Sequence, residues 1–288
     1  MKIGFSFKGI HSRDMGVYAS TRSRSALPEV RREAFEADVG DGVTELSANN
    51  VYKRFLYKER VFQINVCVSA DDIFKLQQRI SKVARWLNGS GKLIFDDLPG
   101  VYWQASIISP TEFAPEAKGR KAVLTVYFNA QPFSFAEFAA AERIPIGTKY
   151  IKLGDHIPIG LKSMLTVTGT GTQTIKAYNI GNAPTKPVIT IYSAGTSGYN
   201  YTVTITKTAA DGTVTEFKFR RNPYIQETVI DMDKGILTQN GDFFVPASGS
   251  FFELEPGENT VTVSADFEKT VTVDYIPRFF YGLEVSKC

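Results

Sequence analysis

Cysteine, histidine and tryptophan are scarce in this chain, at two residues each. Cys67 sits inside the apolar run 61–68 and Cys288 is the last residue, so no disulfide framework of the kind that staples small secreted domains is available. His11 and His156 stand alone, with no HxxxH, HxH or CxxC spacing, which leaves a closed zinc site without ligands. Neither histidine lies beside a serine or cysteine in a strained nucleophile turn, which removes hydrolase triads. The GTGT run at 169–172 lacks the GK[ST] ending of a phosphate loop and lies among β-forming residues. Long apolar runs are missing too. The best candidates are broken by Gln63, Asn65 or Glu137, which argues against a membrane-spanning helix. The opening MKIGFSFKGIHSRDMG has no apolar h-region, so no signal peptide is expected and synthesis is assigned to a reducing bacterial cytoplasm. Charge of one sign is also lacking: the net of +3 is too small for a dedicated nucleic-acid binder. The basic excess lies in residues 1–137, with 19 Lys plus Arg against 15 Asp plus Glu, while the remainder carries 14 against 15.

What is present is enough for two cores. At 288 residues and 43% hydrophobic, the chain divides into two ordinary domains that need no staples. Helical periodicity is convincing only from Asp71 to Leu87, where Ile73, Leu76, Ile80, Val83 and Leu87 recur on one face. Ser69 or Asp71 can cap its start, and Asn88-Gly89 can end it. Around it, 61–68, 92–95, 102–108 and 123–130 read as strands of an α+β domain spanning 1–137. Residues 29–56 read as a long hairpin arm around Val39-Gly40-Asp41-Gly42, rich in charge and poor in apolar residues. An isolated two-stranded ribbon is marginal in water, so two readings stand: an arm laid on a neighbouring subunit, or a surface loop. Pro145 and Pro158 mark 138–160 as a linker. From 161 to 288 the strict alternation of 166–172, 201–206, 216–220, 260–264 and 270–274, with turns at Asp211-Gly212, Asn240-Gly241 and Pro256-Gly257, predicts a β-sandwich.

Three carboxylate pairs, Asp96/Asp97, Asp231/Asp233 and Glu253/Glu255, have the composition of a glycosidase acid and base. Each lies in a turn-forming context, which is the stronger reading. Trp86 falls in the helix and Trp103 in an apolar strand, so neither serves as a sugar platform in the second domain. No catalytic, cofactor-binding or metal residue is assigned.

Seven segments stand out in order: FSFKGIHSRDMGV at 5–17, YKERVFQINV at 57–66, ARWL at 84–87, GKLIFDDLPGVYWQA at 91–105, VYFNAQPF at 126–133, NIGNAPTKPVITI at 179–191 and FELEPGENTV at 252–261. Taken together they resemble the distal tail protein of long-tailed bacteriophages. The resemblance implies a mainly β protein with one helix: an N-terminal α+β belt domain with a hairpin arm, and a C-terminal galectin-like β-sandwich. It implies a homohexameric ring at the tail tip of a phage or prophage virion, joining the tail tube protein to the tail-associated protein. Receptor-binding or other baseplate proteins would dock outside, and DNA would pass through the channel without specific binding. Arg31, Arg32, Phe35, Tyr52 and Phe55 are the oligomer-interface candidates on the arm. The rival classes are a carbohydrate-binding adhesin acting through the second domain and a cell-wall hydrolase. The hydrolase has no room once both domains are accounted for, and neither membrane nor cofactor is implied.

Overall fold

Residues 60–69, RVFQINVCVS, alternate at period two, which in an extended chain turns Phe62, Ile64, Val66 and Val68 to one face, where all four are fully buried. The computed structural model describes residues 4–32, 34–36, 43–45, 55–107, 112–116, 120–137, 164–194, 201–242 and 247–282. The protein is mainly β with one helix, and it forms two units.

The first unit contains β1 (Phe5–Phe7), β2 (Ile10–His11), β3 (Tyr18–Ser23), β4 (Ala34–Glu36), β5 (Val43–Glu45), β6 (Arg60–Ser69), α1 (Ile73–Leu87), β7 (Ser90–Phe95), β8 (Val101–Ile107), β9 (Glu112–Glu116), β10 (Lys121–Ala130) and β11 (Ser134–Ala136). Its sheet runs β2-β1-β7-β8-β10-β6-β3, with β6 and β10 antiparallel over their full length. β10 is shared on its other edge, by β9 at Lys121 to Thr125 and by β8 at Phe128 to Ala130. The inward rings of Phe5, Phe7, Phe62, Phe95, Trp103 and Phe128 are fully buried, in edge-on pairs such as Phe62 to Trp103 at 5.3 Å. The helix seals this core with Leu76, Val83, Trp86 and Leu87. Trp86 stacks on Phe5 at 5.4 Å, and its indole N–H donates to the Phe7 carbonyl at 3.0 Å.

The helix starts later than its periodicity suggests. Its cap is Asp72, whose carboxylate accepts the Lys75 N–H at 2.8 Å, rather than Ser69 or Asp71. Ser69 closes β6 and gives its carbonyl to Arg79, while Asp71 is exposed one residue before the cap. Asn88 ends the helix and Gly89 turns the chain at φ +96°, as expected.

The second unit contains β12 (Met164–Asn179), β13 (Val188–Tyr192), β14 (Tyr201–Ala209), β15 (Val214–Arg221), β16 (Glu227–Asp231), β17 (Ile236–Gln239), β18 (Ala247–Gly249) and β19 (Gly257–Asp274). β19 pairs with β12 along its whole length, with β14 over Asn259 to Ser264, and with β13 over Thr270 to Asp274. The β12–β19 pair therefore belongs to both sheets of a sandwich and bends between them. At the bend the register shifts between Gly169 and Gly171, because β19 holds extra residues there. Lys269, fully buried, ties the bulge by donating to the carbonyls of Gly171 at 2.5 Å and Ala265 at 3.0 Å. Burial holds its ammonium below the ordinary lysine value. Between the sheets pack Ile189, Ile191, Val203, Ile205, Phe217, Val261, Val263, Val271 and Val273. The turn at Asn240-Gly241 has both residues left-handed, at φ +44° and +91°, the geometry that matches the twist of a hairpin.

After β19, β20 (Arg278–Phe279) pairs with β11, and residues 279–282 join the first unit. Ser134 Oγ lies within hydrogen-bond reach of the carbonyls of Phe279 at 3.3 Å and Tyr281 at 2.8 Å. The buried Arg60 guanidinium donates to the carbonyls of Ser25, Ala26 and Phe280. Burial pulls Arg60 down to about 10, partly opposed by Tyr281. Phe280 packs edge-on against Phe133 at 5.4 Å, and Tyr281 against Trp103 at 6.1 Å. Where the sequence suggests a second domain running through 288, residues 279–282 complete the first unit instead, through partners as much as 220 residues upstream.

Candidate functional site

The base of the expected arm is an antiparallel ribbon. Arg31 N donates to the Leu56 carbonyl at 2.7 Å and Lys58 N to that of Glu29 at 2.8 Å, with a bridge between Val30 and Tyr57. The Lys58 ammonium pairs with the Glu29 carboxylate at 2.6 Å. Between these two strands in the sequence, β4 and β5 pair as Ala34↔Glu45, Phe35↔Thr44 and Glu36↔Val43. Of the five interface candidates, Arg31, Arg32 and Phe55 are exposed, with Phe55 at 44%. Arg31 lies across the ribbon base from Leu56, the residue after Phe55. Phe35 lies on β4 with its side chain outside the described residues, and Tyr52 lies outside them altogether.

The outward face of β3, β6 and β10 carries residues that sequence reasoning missed. Tyr18 is 59% exposed and Val61 49%. Tyr18 stands opposite Cys67, which stands opposite Val123. The next rows are polar but internally matched: Gln63 donates to the Tyr127 hydroxyl at 3.1 Å and Thr125 to Asn65 at 3.2 Å. Their signal is apolar residues at strand positions that face away from the core, a pattern suited to burial by another protein.

The carboxylate pairs are occupied with structure. Asp96 receives the Gly4 N–H at 3.1 Å and faces His11 Nε2 at 2.9 Å. Because His11 Nδ1 accepts the Arg13 N–H at 3.0 Å, Nε2 carries the imidazole proton. Asp97 is held by Arg24, which lies over the Phe95 ring at 4.4 Å. Asp231 accepts the N–H groups of Asp233 and Lys234, both at 3.0 Å, and Asp233 pairs with Arg278 at 3.1 Å. Glu253 is 4% exposed, beside the loop in which Glu255 offers its N–H to Asn259. Among the described residues no group of three or more His, Cys, Asp or Glu is placed to hold a metal ion.

Arg221 and Asn222, consecutive polar residues of the second unit, are used by the fold. Arg221 is fully buried, donates to the Ile225 carbonyl and lies over the Phe267 ring at 4.4 Å. Burial lowers its guanidinium from the ordinary value, partly opposed by Tyr201. Asn222 accepts the Tyr224 N–H at 3.0 Å in a tight turn.

Two family models match in the order of the two units. The phage tail protein RIFT-related domain covers residues 49–130, and the siphovirus-type tail component, C-terminal domain, covers 180–279. Together they span more than half of the chain. The chain belongs to the siphovirus distal tail protein family.

The distal tail fold is matched at full length. The crystal structure of SPP1 Dit, described as a hub of the adsorption apparatus in phages infecting Gram-positive bacteria, aligns with a TM-score of 0.59 and 17% identity over 96% of this chain and 99% of that one. A chain of the phage P2 baseplate in its activated conformation with Ca aligns over 95% and 98% at 8% identity, with a TM-score of 0.37 that is too low to carry an argument. No curated protein matches by sequence. Within this distal tail fold, the signature residues of the second half do local work. Asn179 is fully buried, donates to the carbonyls of Ala183 at 3.0 Å and Leu254 at 3.1 Å, and accepts the Gly181 N–H at 2.9 Å. A Cβ on Gly181 would stand 2.2 Å from the Arg278 carbonyl, so only glycine fits. Asn259, also fully buried, accepts the Glu255 N–H and donates to the carbonyls of Glu255 and Gly257, knitting the turn before β19.

Proposed function

We propose that this distal tail protein is the structural hub of a phage tail tip, a homohexameric ring that joins the tail tube protein to the tail-associated protein. Receptor-binding or other baseplate proteins dock on its second unit, and DNA passes through the ring without specific binding. It performs no reaction and takes no cofactor; its work is geometric. The ribbon at 29–31 and 56–58 is the observation that carries this reading. Its base is paired and ion-bridged, the chain between its two strands contains the paired β4 and β5, and it presents Arg31, Arg32 and Phe55 to its surroundings. A two-stranded ribbon gains stability by lying on another surface, and a closed ring offers every subunit the same neighbour. The exposed Tyr18 and Val61 supply apolar area on the same unit.

The test is the mass of the purified protein in solution by light scattering, for the wild type and for Arg31→Ala combined with Phe35→Ala. A six-fold mass that falls toward the monomer in the variant supports the arm as the ring contact. A variant ring as stable to dilution as the wild type refutes it. The adhesin alternative loses ground because Arg221 is enclosed and Asn222 is committed to a turn. A glycan-array signal abolished by substituting Tyr192 and Tyr224, both exposed in the second unit, would restore it.

A further inference from the structure

β12 presents an open edge. It pairs with β19 from Met164↔Asp274 to Asn179↔Gly257 and with no other strand among the described residues. Over its 16 residues half of the backbone donors and acceptors therefore point away from the sheet. Proteins ordinarily guard such edges with charge, proline or brevity. β12 has no proline and a single charge, Lys176, which is ion-paired to Glu258 at 3.3 Å. Leu165 and Val167, on its inward face, are only partly covered by the core they touch.

The strand is close to self-complementary about Thr170. A second copy running antiparallel across a two-fold axis there sets Thr168 opposite Thr172, Thr166 opposite Thr174, Leu165 opposite Ile175 and Gly169 opposite Gly171, each twice. Inward residues meet inward residues, so both sheets continue across the junction. The bend and the left-handed Gly171, at φ +68°, fall on the axis, so the straight segment 164–168 of one copy meets 172–176 of the other. Charge selects the same alignment. Lys176 falls opposite Met164, whose own cross-strand neighbour is the exposed Asp274, so each end joins an ammonium to a carboxylate. A parallel alignment would set Lys176 beside Lys176.

We propose that β12 is a homotypic docking edge, through which the second units of two copies of this chain pair antiparallel about Thr170. The contact is isologous and separate from the heterologous ring contact, so it stands whether or not the ring does. Two full-length variants test it, Thr168→Cys and Thr172→Cys, each made with Cys67→Ser and Cys288→Ser and purified separately. Opposed side chains on antiparallel strands lie about 5 Å apart, close enough to be oxidised to a disulfide. The equimolar mixture should give a cross-linked dimer on a non-reducing denaturing gel at about tenfold the level of either variant alone, where a cysteine faces only threonine. Thr166→Lys on both partners should abolish that excess while the second unit keeps its melting transition. No excess in the mixture, or equal cross-linking of each variant by itself, overturns the proposal. The gel reads pairs of chains and not ring mass, so a failure here is distinguishable from a failure of the hexamer.

Discussion

Ending the chain after residue 278 should unfold the first unit selectively. The truncation removes Phe279, which is 1% exposed, together with the Phe280 and Tyr281 rings that pack on Phe133 and Trp103. Losing a buried phenylalanine costs about 3 to 5 kcal/mol. The truncation also deprives the buried Arg60 guanidinium of one acceptor and the Ser134 hydroxyl of both, at roughly 1 to 3 kcal/mol for each stranded polar group. A total of about 5 kcal/mol or more is comparable with the whole stability of a small domain. Both tryptophans, Trp86 and Trp103, belong to the first unit, so tryptophan fluorescence during urea denaturation reports that unit alone. The fluorescence transition should collapse to low urea or vanish. Circular dichroism should retain a second transition from the sandwich, whose last long strand ends at Asp274. An unchanged fluorescence midpoint would refute the assignment of residues 279–282 to the first unit.

Three further outcomes follow from single side chains. Tyr275 is buried and donates to the Tyr178 carbonyl at 3.0 Å, and burial pushes its phenol up to about 12. The unfolded phenol ionises near 10, so its contribution is fully present below that pH and is lost as pH rises toward 12. The loss amounts to about 2 to 3 kcal/mol, and the alkaline decline measured by denaturant titration at stepped pH should be smaller by that amount in Tyr275→Phe. Gly181→Ala should destabilise the second unit by about 2 kcal/mol or more, because the added methyl meets the Arg278 carbonyl. A shift below ~0.5 kcal/mol in calorimetry would contradict that contact. Asp72→Ala removes the cap of α1 and should cost ~1 kcal/mol in the fluorescence-detected transition, whereas Asp71→Ala should stay within about 0.5 kcal/mol.

Periodicity made most of the architecture legible. Phe62 to Val68 and Val261 to Val273 alternate so regularly that their strands and buried faces follow directly, and the helix declares itself through Leu76 and Val83. The cap was not legible, because Ser69, Asp71 and Asp72 can all offer an accepting side-chain oxygen, and only the Lys75 N–H directed at Asp72 decides among them. The return of Phe279 to the first unit was hidden for a different reason. Ser134, the partner of Phe279, is 145 residues away and Arg60, the partner of Phe280, is 220 away, and nothing local in a short aromatic tail distinguishes strand from loop. No residue pattern announces the burial of Arg221 and Lys269, which depends on carbonyls exposed by a turn and a bulge. On the ribbon, the charged run around Arg31 signalled exposure, while Tyr18 and Val61 became visible as surface only once the sheet had a core side.

The central claim is a ring, and images of the purified protein at high concentration test it most directly. Class averages from negative stain should show six-fold symmetry around a central hole. A different closed symmetry, or particles that remain single chains even with their tail partners added, would contradict the hub.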